Sequence, residues 1–241
     1  MTTTLAAPTV RQVCLPGQAA VPDGPVDLTE MLAAHRAFRR DLDLFVAATR
    51  DIPLDDREAW RLLNRRWGLF CEVLHGHHTA EDEGVWPALR GRAEEAGDRG
   101  TLAVLDAMDD EHADIDPLLA SLSEGFACLA TEPDARARGE QAALTVTARE
   151  QLGRHLDHEE VDALPLVQRY LSPDDWARIV KEHVARPASL RAAVETIGWG
   201  LHDLPDPVIA RLLPAPVRLL WRLFVRKPFD RRQRRLLRYT T

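Results

Sequence analysis

The sequence is poor in the features that mark disulfide-rich, membrane-spanning and nucleotide-binding proteins. Three cysteines among 241 residues form an odd, scattered set, which argues against a disulfide framework and for a reducing cytoplasm as the location. No apolar run is long enough to cross a membrane, and no N-terminal segment resembles a secretory signal. Glycine-rich phosphate-binding motifs are also missing, so a nucleotide cofactor is not expected.

Strand signals are equally scarce. Ala, Leu, Arg and Glu dominate the composition, and runs that alternate between apolar and polar residues do not occur. We therefore expect an all-α protein, with one well-filled domain and an extension. Apolar periodicity and helix-breaking residues predict long helices over about 27–50, 55–96, 101–130 and 134–170, and a fifth over about 173–185. Pro87 and Pro117 fall inside two of these helices and predict local distortions there.

One motif occurs twice with the same internal spacing. Residues 77–82 read His-His-Thr-Ala-Glu-Asp and residues 155–160 read His-Leu-Asp-His-Glu-Glu. In each copy a proline, Pro87 or Pro165, follows the last acid by five residues. On a helix, residues four apart differ by only about 40° in direction, so the histidine and the glutamate of each copy share a face. An imidazole and a carboxylate placed one turn apart can bind the same divalent metal ion.

Four histidines lie in apolar stripes with helical spacing. They are His35, His77, His112 and His155. A single histidine on an apolar face is usually a hydrogen-bonded core residue. Four of them, two with a carboxylate beside them, would be costly in a core unless they bind a common partner such as a metal.

The order of these elements resembles that of the hemerythrin-like (HHE cation-binding) family over roughly residues 27–170. That order is one histidine, His-x-x-x-Glu, one histidine, His-x-x-x-Glu, with one element on each helix. The resemblance implies an antiparallel four-helix bundle that holds a non-heme diiron centre, with two iron ions and a solvent-derived bridging oxygen. It also implies the ligands: His35, His77, His112 and His155 as terminal ligands, and Glu81 and Glu159 as bridges.

The sequence departs from the oxygen-carrying members of this family at one position. Those proteins have His-x-x-x-His on the third helix, whereas here Asp116 follows His112 by four residues. A fifth histidine is therefore missing, and we expect Asp116 in or just outside the ligand shell of the metal. The open position that results favours turnover or sensing of O2, NO or hydrogen peroxide over simple oxygen carriage.

Other histidines and acids offer alternative ligands. His78 and His158 each have an aspartate four residues later, but the internal repeat argues against both, because His78 aligns with Leu156 and His158 with Ala80. A ferritin-like site would need Glu-x-x-His on two helices, and that pattern has no second copy here.

The last acid of the second motif, Glu160, competes with Glu159. Glu160 lies about 140° from His155 on an ideal helix, so Glu159 is the preferred ligand. Glu160 remains a candidate for an additional ligand or for a residue that supports one.

The flanking segments divide the chain into three parts. We expect an irregular N-terminal arm over 1–26, the diiron bundle over 27–170, and a helical extension with a basic tail over 171–241. Residues 211–241 contain ten lysines and arginines and one acid, whereas the whole chain has a net charge of −7. The acidic body argues against nucleic-acid binding. Residues 208–241 could contact an anionic membrane or a protein partner, but packing on the acidic bundle is the simpler expectation.

Three functions fit this pattern. The first is binding or turnover of O2, NO or peroxide. The second is a diiron oxidase or oxygenase for a small organic substrate, which would need an apolar cavity of several hundred cubic ångströms that reaches the metals under residues 187–241. The third is an iron or oxygen sensor with a partner-binding extension, which would need a saturated metal site and an exposed apolar tail.

Overall fold

The computed structural model describes residues 8–184 and 189–239, which are mostly helical. Residues 1–7, 185–188 and 240–241 lie outside the described ranges, and with them the start of the predicted arm and the predicted end of the fifth helix. The prediction of an all-α protein is confirmed. The helices are α1 (Thr29–Asp51), α2 (Arg57–Ala80), α3 (Trp86–Ala96), α4 (Arg99–Thr131), α5 (Ala135–His158), α6 (Leu164–Tyr170), α7 (Pro173–His183), α8 (Leu190–Leu201), α9 (Asp206–Leu212), α10 (Ala215–Leu220) and α11 (Lys227–Leu237).

Four helical rods form the body of the protein: α1, α2 with α3, α4, and α5 with α6. α1 packs on α2 and α5, and α4 packs on the same two helices. His35 contacts His77, whereas Phe45, later in α1, contacts Trp67, earlier in α2, so these two helices run in opposite directions. In the contacts of α4 with α2 and with α5, later residues of one helix likewise meet earlier residues of the other, so α4 runs antiparallel to both.

The helix starts are set by short polar side chains. Asp56, Asp98 and Asp134 stand before α2, α4 and α5, and each accepts hydrogen bonds from backbone N–H groups of the first turn. Such caps satisfy donors that have no partner within the helix. Gly97 ends α3 with a φ of 65°, a conformation that favours glycine.

Three π-helical segments occur, two within the rods and one between α10 and α11, and each ends two residues before a proline. They are π1 (Glu81–Val85), π2 (Glu159–Ala163) and π3 (Trp221–Arg226), and they precede Pro87, Pro165 and Pro228. Proline cannot donate a hydrogen bond and its ring crowds the preceding turn, which a wider turn relieves. The second rod therefore widens ahead of Pro87, whereas α4 remains α-helical through Pro117.

The described part of the N-terminal arm, residues 8–26, lies against the bundle. Val10 and Gly24 form an isolated β-bridge, and Val26 is fully buried. The backbone N–H of Ala19 donates to Glu160 over 2.8 Å. The arm thus covers the second copy of the repeated motif.

A buried polar network joins the C-terminal extension to the body. Asp41 of α1 is fully buried and accepts hydrogen bonds from Arg66 and Arg40. The indole N–H of Trp199 in α8 donates to the same carboxylate over 2.8 Å, and the indole ring packs on Phe38. These contacts hold α8 against the middle of α1.

Part of the basic tail pairs with acids of the bundle, whereas Arg222 pairs with Asp206 in the extension. Arg211 lies 3.1 Å from Asp27 and Arg235 lies 2.5 Å from Asp56, which also accepts a hydrogen bond from Tyr239. An outward face of the tail remains exposed and apolar; it consists of Leu219, Leu220, Leu223 and Phe224. No helix among the described residues is long and apolar enough to span a membrane.

Candidate metal centre

The two copies of the repeated motif meet inside the bundle, at the ends of α2 and α5. They form two neighbouring groups of metal-ligand side chains, in each of which the ligand atoms lie within 4.8 Å of one another. One group is His78, His112 and His155, and the other is His35, His77, Glu81 and Glu159. All six residues expected as ligands are present in these groups, together with one histidine that was not expected.

The additional residue is His78. It is 5% exposed and its ring stacks on that of His112, with centroids 4.0 Å apart. The alignment of His78 with Leu156 predicted that His78 is not a ligand, whereas the structure places it with His112 and His155 in the first group. Leu156, at the equivalent position of the second copy, is also fully buried. The repeat therefore identifies which helix face is interior, but not which side chain that face carries.

Asp116 belongs to neither group, which corrects the expectation that it lies at the metal. Its side chain is exposed. The buried seam of α4 passes through Met108, His112 and Ile115, so the position that follows His112 inward is three residues later rather than four. Asp116 lies at the edge of that seam and faces solvent.

The ligand-type atoms of the two groups are buried without hydrogen-bond partners. This holds for Nε2 of all five histidines and for both carboxylate oxygens of Glu81 and Glu159. A buried polar atom without a hydrogen bond lowers stability by roughly 1–3 kcal/mol. Because nine such atoms lie close together here, we expect them to share a common partner. Divalent metal ions bind imidazole and carboxylate groups, so these residues fit the metal centre that the sequence pattern implies.

Glu81 faces both groups. Its Oε1 lies 3.0 Å from Nε2 of His77, and its Oε2 lies 3.7 Å from Nε2 of His112. In the second group, Oε2 of Glu159 lies 3.2 Å from Nε2 of His35. A carboxylate with one oxygen toward each group is placed to connect two metal positions.

In three of the histidines, a carboxylate forms a hydrogen bond with Nδ1, the ring nitrogen that faces away from the group. The pairs are Nδ1 of His35 with Glu160 at 2.9 Å, Nδ1 of His112 with Asp82 at 2.7 Å, and Nδ1 of His155 with Glu111 at 2.8 Å. A carboxylate at Nδ1 keeps the proton there and leaves the lone pair of Nε2 free for a metal.

Two of these supporting acids directly follow the buried glutamates of the motif. Glu160 is thus placed as a supporting residue, and Arg39 holds it in turn at 2.7 Å. Glu111 was missed because no periodic pattern marks it. It also accepts a hydrogen bond from His158 at 2.8 Å, and this keeps His158 outside both groups.

In the metal-free protein the two groups have strongly perturbed acidities. Burial alone would lower the pKa of His35, but Glu159 and Glu160 raise it to about 9. Burial and the nearby Glu159 raise the pKa of Glu81 well above its usual range. Burial, together with a charged His35, lowers the pKa of His77 to about 3. Metal binding at such a site must displace protons, so it weakens in acid.

A cavity of about 410 Å³ lies beside the second group. Its walls come from α1, α2, π1, α7, α8 and the end of α9. They are mostly apolar, and His77 and Glu81 are among the lining residues. The three histidines of the first group do not line it. The cavity therefore approaches the two groups from one side only.

Comparison with known proteins agrees with this geometry. A family model described as the Hemerythrin HHE cation binding domain matches residues 26–167, more than half of the 241 residues. No curated protein and no solved structure gave a match. The matched range contains both copies of the motif and every residue of the two groups. The chain therefore belongs to the hemerythrin HHE cation-binding family.

Proposed function

We propose that this protein binds two iron ions and uses them to bind or turn over a small ligand: O2, NO or hydrogen peroxide. The observation that supports it best is the set of partnerless Nε2 and carboxylate atoms that converge in the two groups. Imidazole and carboxylate ligands suit iron, although manganese or zinc could occupy the same positions.

The two groups divide the ligands unequally. In this proposal one ion is held by His78, His112 and His155 and the other by His35 and His77. Glu81 and Glu159 would be shared between the ions, with a solvent-derived oxygen as a further bridge. The ion with three histidines would have one more protein ligand than its neighbour, so an open position is expected on the side of His35 and His77.

The fifth histidine changes what the site favours. The expectation of an unusually open site rested on Asp116 in place of a histidine, whereas His78 supplies that histidine from α2. A shell of five histidines favours binding of a small ligand at one ion over exchange at both. The cavity reaches His77, on the side where the open position is proposed.

When bound, two ferrous ions supply up to two electrons to a diatomic ligand or to peroxide. The protein orients the ligands and keeps the site dry. Glu160 holds the Nδ1 proton of His35, and Arg39 fixes Glu160. Phe38 packs on His77 with ring centroids 5.2 Å apart, which shields that histidine from water on one side.

A second candidate function is oxidation of a small organic substrate. The cavity of about 410 Å³ specifically favours it, because its size suits a small molecule and its surface includes His77 and Glu81. In that case the small oxygen ligand and the organic substrate would meet at the same side of the site.

Binding of nitric oxide tests whether the proposed diiron centre has an open coordination position. Full-length protein is loaded with ferrous iron without oxygen, titrated with NO, and followed by electron paramagnetic resonance and visible absorption. We expect one tightly bound NO for each pair of irons, and loss of this signal in His77→Ala. Asp116→Ala, a change at an exposed residue, should leave the titration unchanged. Iron-loaded protein that binds no NO, oxygen or peroxide would exclude the proposed function.

A further inference from the structure

We propose that the cavity beside His77 binds a small hydrophobic amine, with its apolar body between the helices and its ammonium group at the opening. Such an amine would be the organic substrate of the second candidate function. Its role as a substrate rests on the proposed function, but binding itself depends only on the walls and rim of the cavity.

The interior of the cavity fits a hydrocarbon body. Its walls carry aliphatic and aromatic side chains, among them Met31, Val73, Ile179, Trp199 and Leu213. Its volume of about 410 Å³ lies in the range of small-molecule sites. Burial of apolar ligand surface there supplies affinity without fixing the ligand's head group.

The acidic residues at the opening of the cavity favour a positively charged ligand. Glu30 on α1 and Glu72 on α2 line the cavity yet are exposed, so they stand at its opening. Within the described chain neither glutamate forms an ion pair or side-chain hydrogen bond, although arginine pairs with acids are frequent elsewhere in the protein. The described lining residues include no lysine or arginine.

The surroundings of Glu30 favour a cation beside its carboxylate. Desolvation by the surrounding side chains raises the pKa of Glu30 above its usual range. A cation placed beside such a carboxylate stabilises its charged form. A ligand with a carboxylate head would instead meet Glu30 and Glu72 at the rim, and like charges disfavour that arrangement.

Three eight-carbon ligands that differ only in the head group test this selection. Calorimetric titration of full-length, iron-loaded protein at neutral pH compares n-octylamine, n-octanol and sodium octanoate. We expect the amine to bind at least tenfold more tightly than the alcohol, and the carboxylate not to bind. Equal binding of the alcohol and the amine, preferred binding of the carboxylate, or no binding of any of the three would overturn the proposal.

Variants separate rim selection from direct ligation of the amine to iron. In the Glu30→Gln, Glu72→Gln double variant the tenfold preference for the amine over the alcohol should disappear. Amine bound through iron would keep its full affinity in this variant, and that result would also overturn the proposal. Both residues are exposed, so the variant should fold.

A filled cavity gives the matched control. A Cβ atom added at Gly200, which lines the cavity, meets no atom within 4 Å, and the same is true of Gly91 in α3, away from the cavity. Gly200→Phe should abolish amine binding and Gly91→Phe should preserve it; the reverse would contradict the proposed location. Metal-free protein is titrated in parallel. Amine binding there, together with a failure to bind iron, would leave the cavity proposal intact and overturn only the proposed function.

Discussion

The imidazole rings of His78 and His112 stack with centroids 4.0 Å apart and planes 13° from parallel. His78 lies near the end of α2 and His112 in the middle of α4. The residue before His78, His77, belongs to the other group and lies 3.0 Å from Glu81. Two consecutive residues of α2 thus serve the two proposed metal positions.

Asp82→Ala should weaken iron binding without unfolding the protein. The Asp82 carboxylate holds Nδ1 of His112 at 2.7 Å, but its side chain is 43% exposed, so truncation opens no cavity in the core. Loss of such a support typically lowers metal affinity by about 10–100-fold. Competition with a chromophoric chelator measures the affinity. Glu83→Ala removes the adjacent exposed acid as a control, and equal affinities of the two variants would contradict the assigned role of Asp82.

Metal removal should destabilise the bundle. Chelation leaves both carboxylate oxygens of Glu81 and Glu159 buried without partners. A ligand present at a hundred times its Kd adds about 2.7 kcal/mol, and about 1 kcal/mol moves the midpoint of a chain of this size by roughly 2–4 °C. We therefore expect a fall on the order of 5–10 °C in the calorimetric midpoint, restored by added iron. Identical midpoints with and without metal would show that the fold does not depend on it.

The main features of this site could be predicted from the sequence because helix geometry fixes which residues share a face. His35, His112 and the two His-x-x-x-Glu pairs all lie inside the bundle, as their apolar stripes predicted. The same reasoning failed at His78 and Asp116. His78 was excluded because it aligns with Leu156, yet both positions are buried and the repeat does not fix which side chain an interior position carries. For Asp116 the question was whether the interior position after His112 falls three or four residues along α4, which periodicity alone does not decide.

Other contacts had no local signal at all. Trp199 and Asp41 are far apart in the sequence, and their hydrogen bond follows from how α8 packs on α1. Glu111 likewise gains its role from the approach of α5 to α4. Such pairs are set by tertiary packing, which no periodic pattern of a single helix encodes.

Asp41→Ala should be strongly destabilising. Its carboxylate is fully buried and accepts hydrogen bonds from Arg66, Arg40 and Trp199. Removing one partner of a buried ion pair costs about 3–5 kcal/mol, because the other charge stays buried without compensation. Chemical denaturation followed by circular dichroism gives the loss of unfolding free energy. Asp43→Ala, at a side chain 70% exposed on the same helix, should change it little. A loss of similar size in the two variants would refute the importance of the network.

The same carboxylate should make stability depend on acid pH. Burial alone would raise the pKa of Asp41, but Arg66 and Arg40 outweigh burial and lower it below the usual 3.8. A group whose pKa is lowered by folding stabilises the protein above its unfolded-state pKa, and this contribution is lost as the pH falls through the folded-state pKa.

The difference in unfolding free energy between the wild type and Asp41→Asn measures this contribution. It should be constant near neutral pH and shrink as the pH falls below 3.8. Both proteins lose metal in acid, so the difference, rather than either absolute value, is the quantity compared. A difference that stays constant down to pH 2, or grows in acid, would contradict the assignment.

Iron content per chain tests the central claim most directly. The wild type, His78→Ala and His75→Ala are loaded anaerobically with ferrous iron, desalted, and analysed for iron and protein. His75 is an exposed histidine of the same helix and serves as the matched control. We expect two irons per chain in the wild type and in His75→Ala, and one or fewer in His78→Ala, because the group of three histidines is then incomplete. A single iron in the wild type, or two irons retained by His78→Ala, would contradict a centre built from both groups.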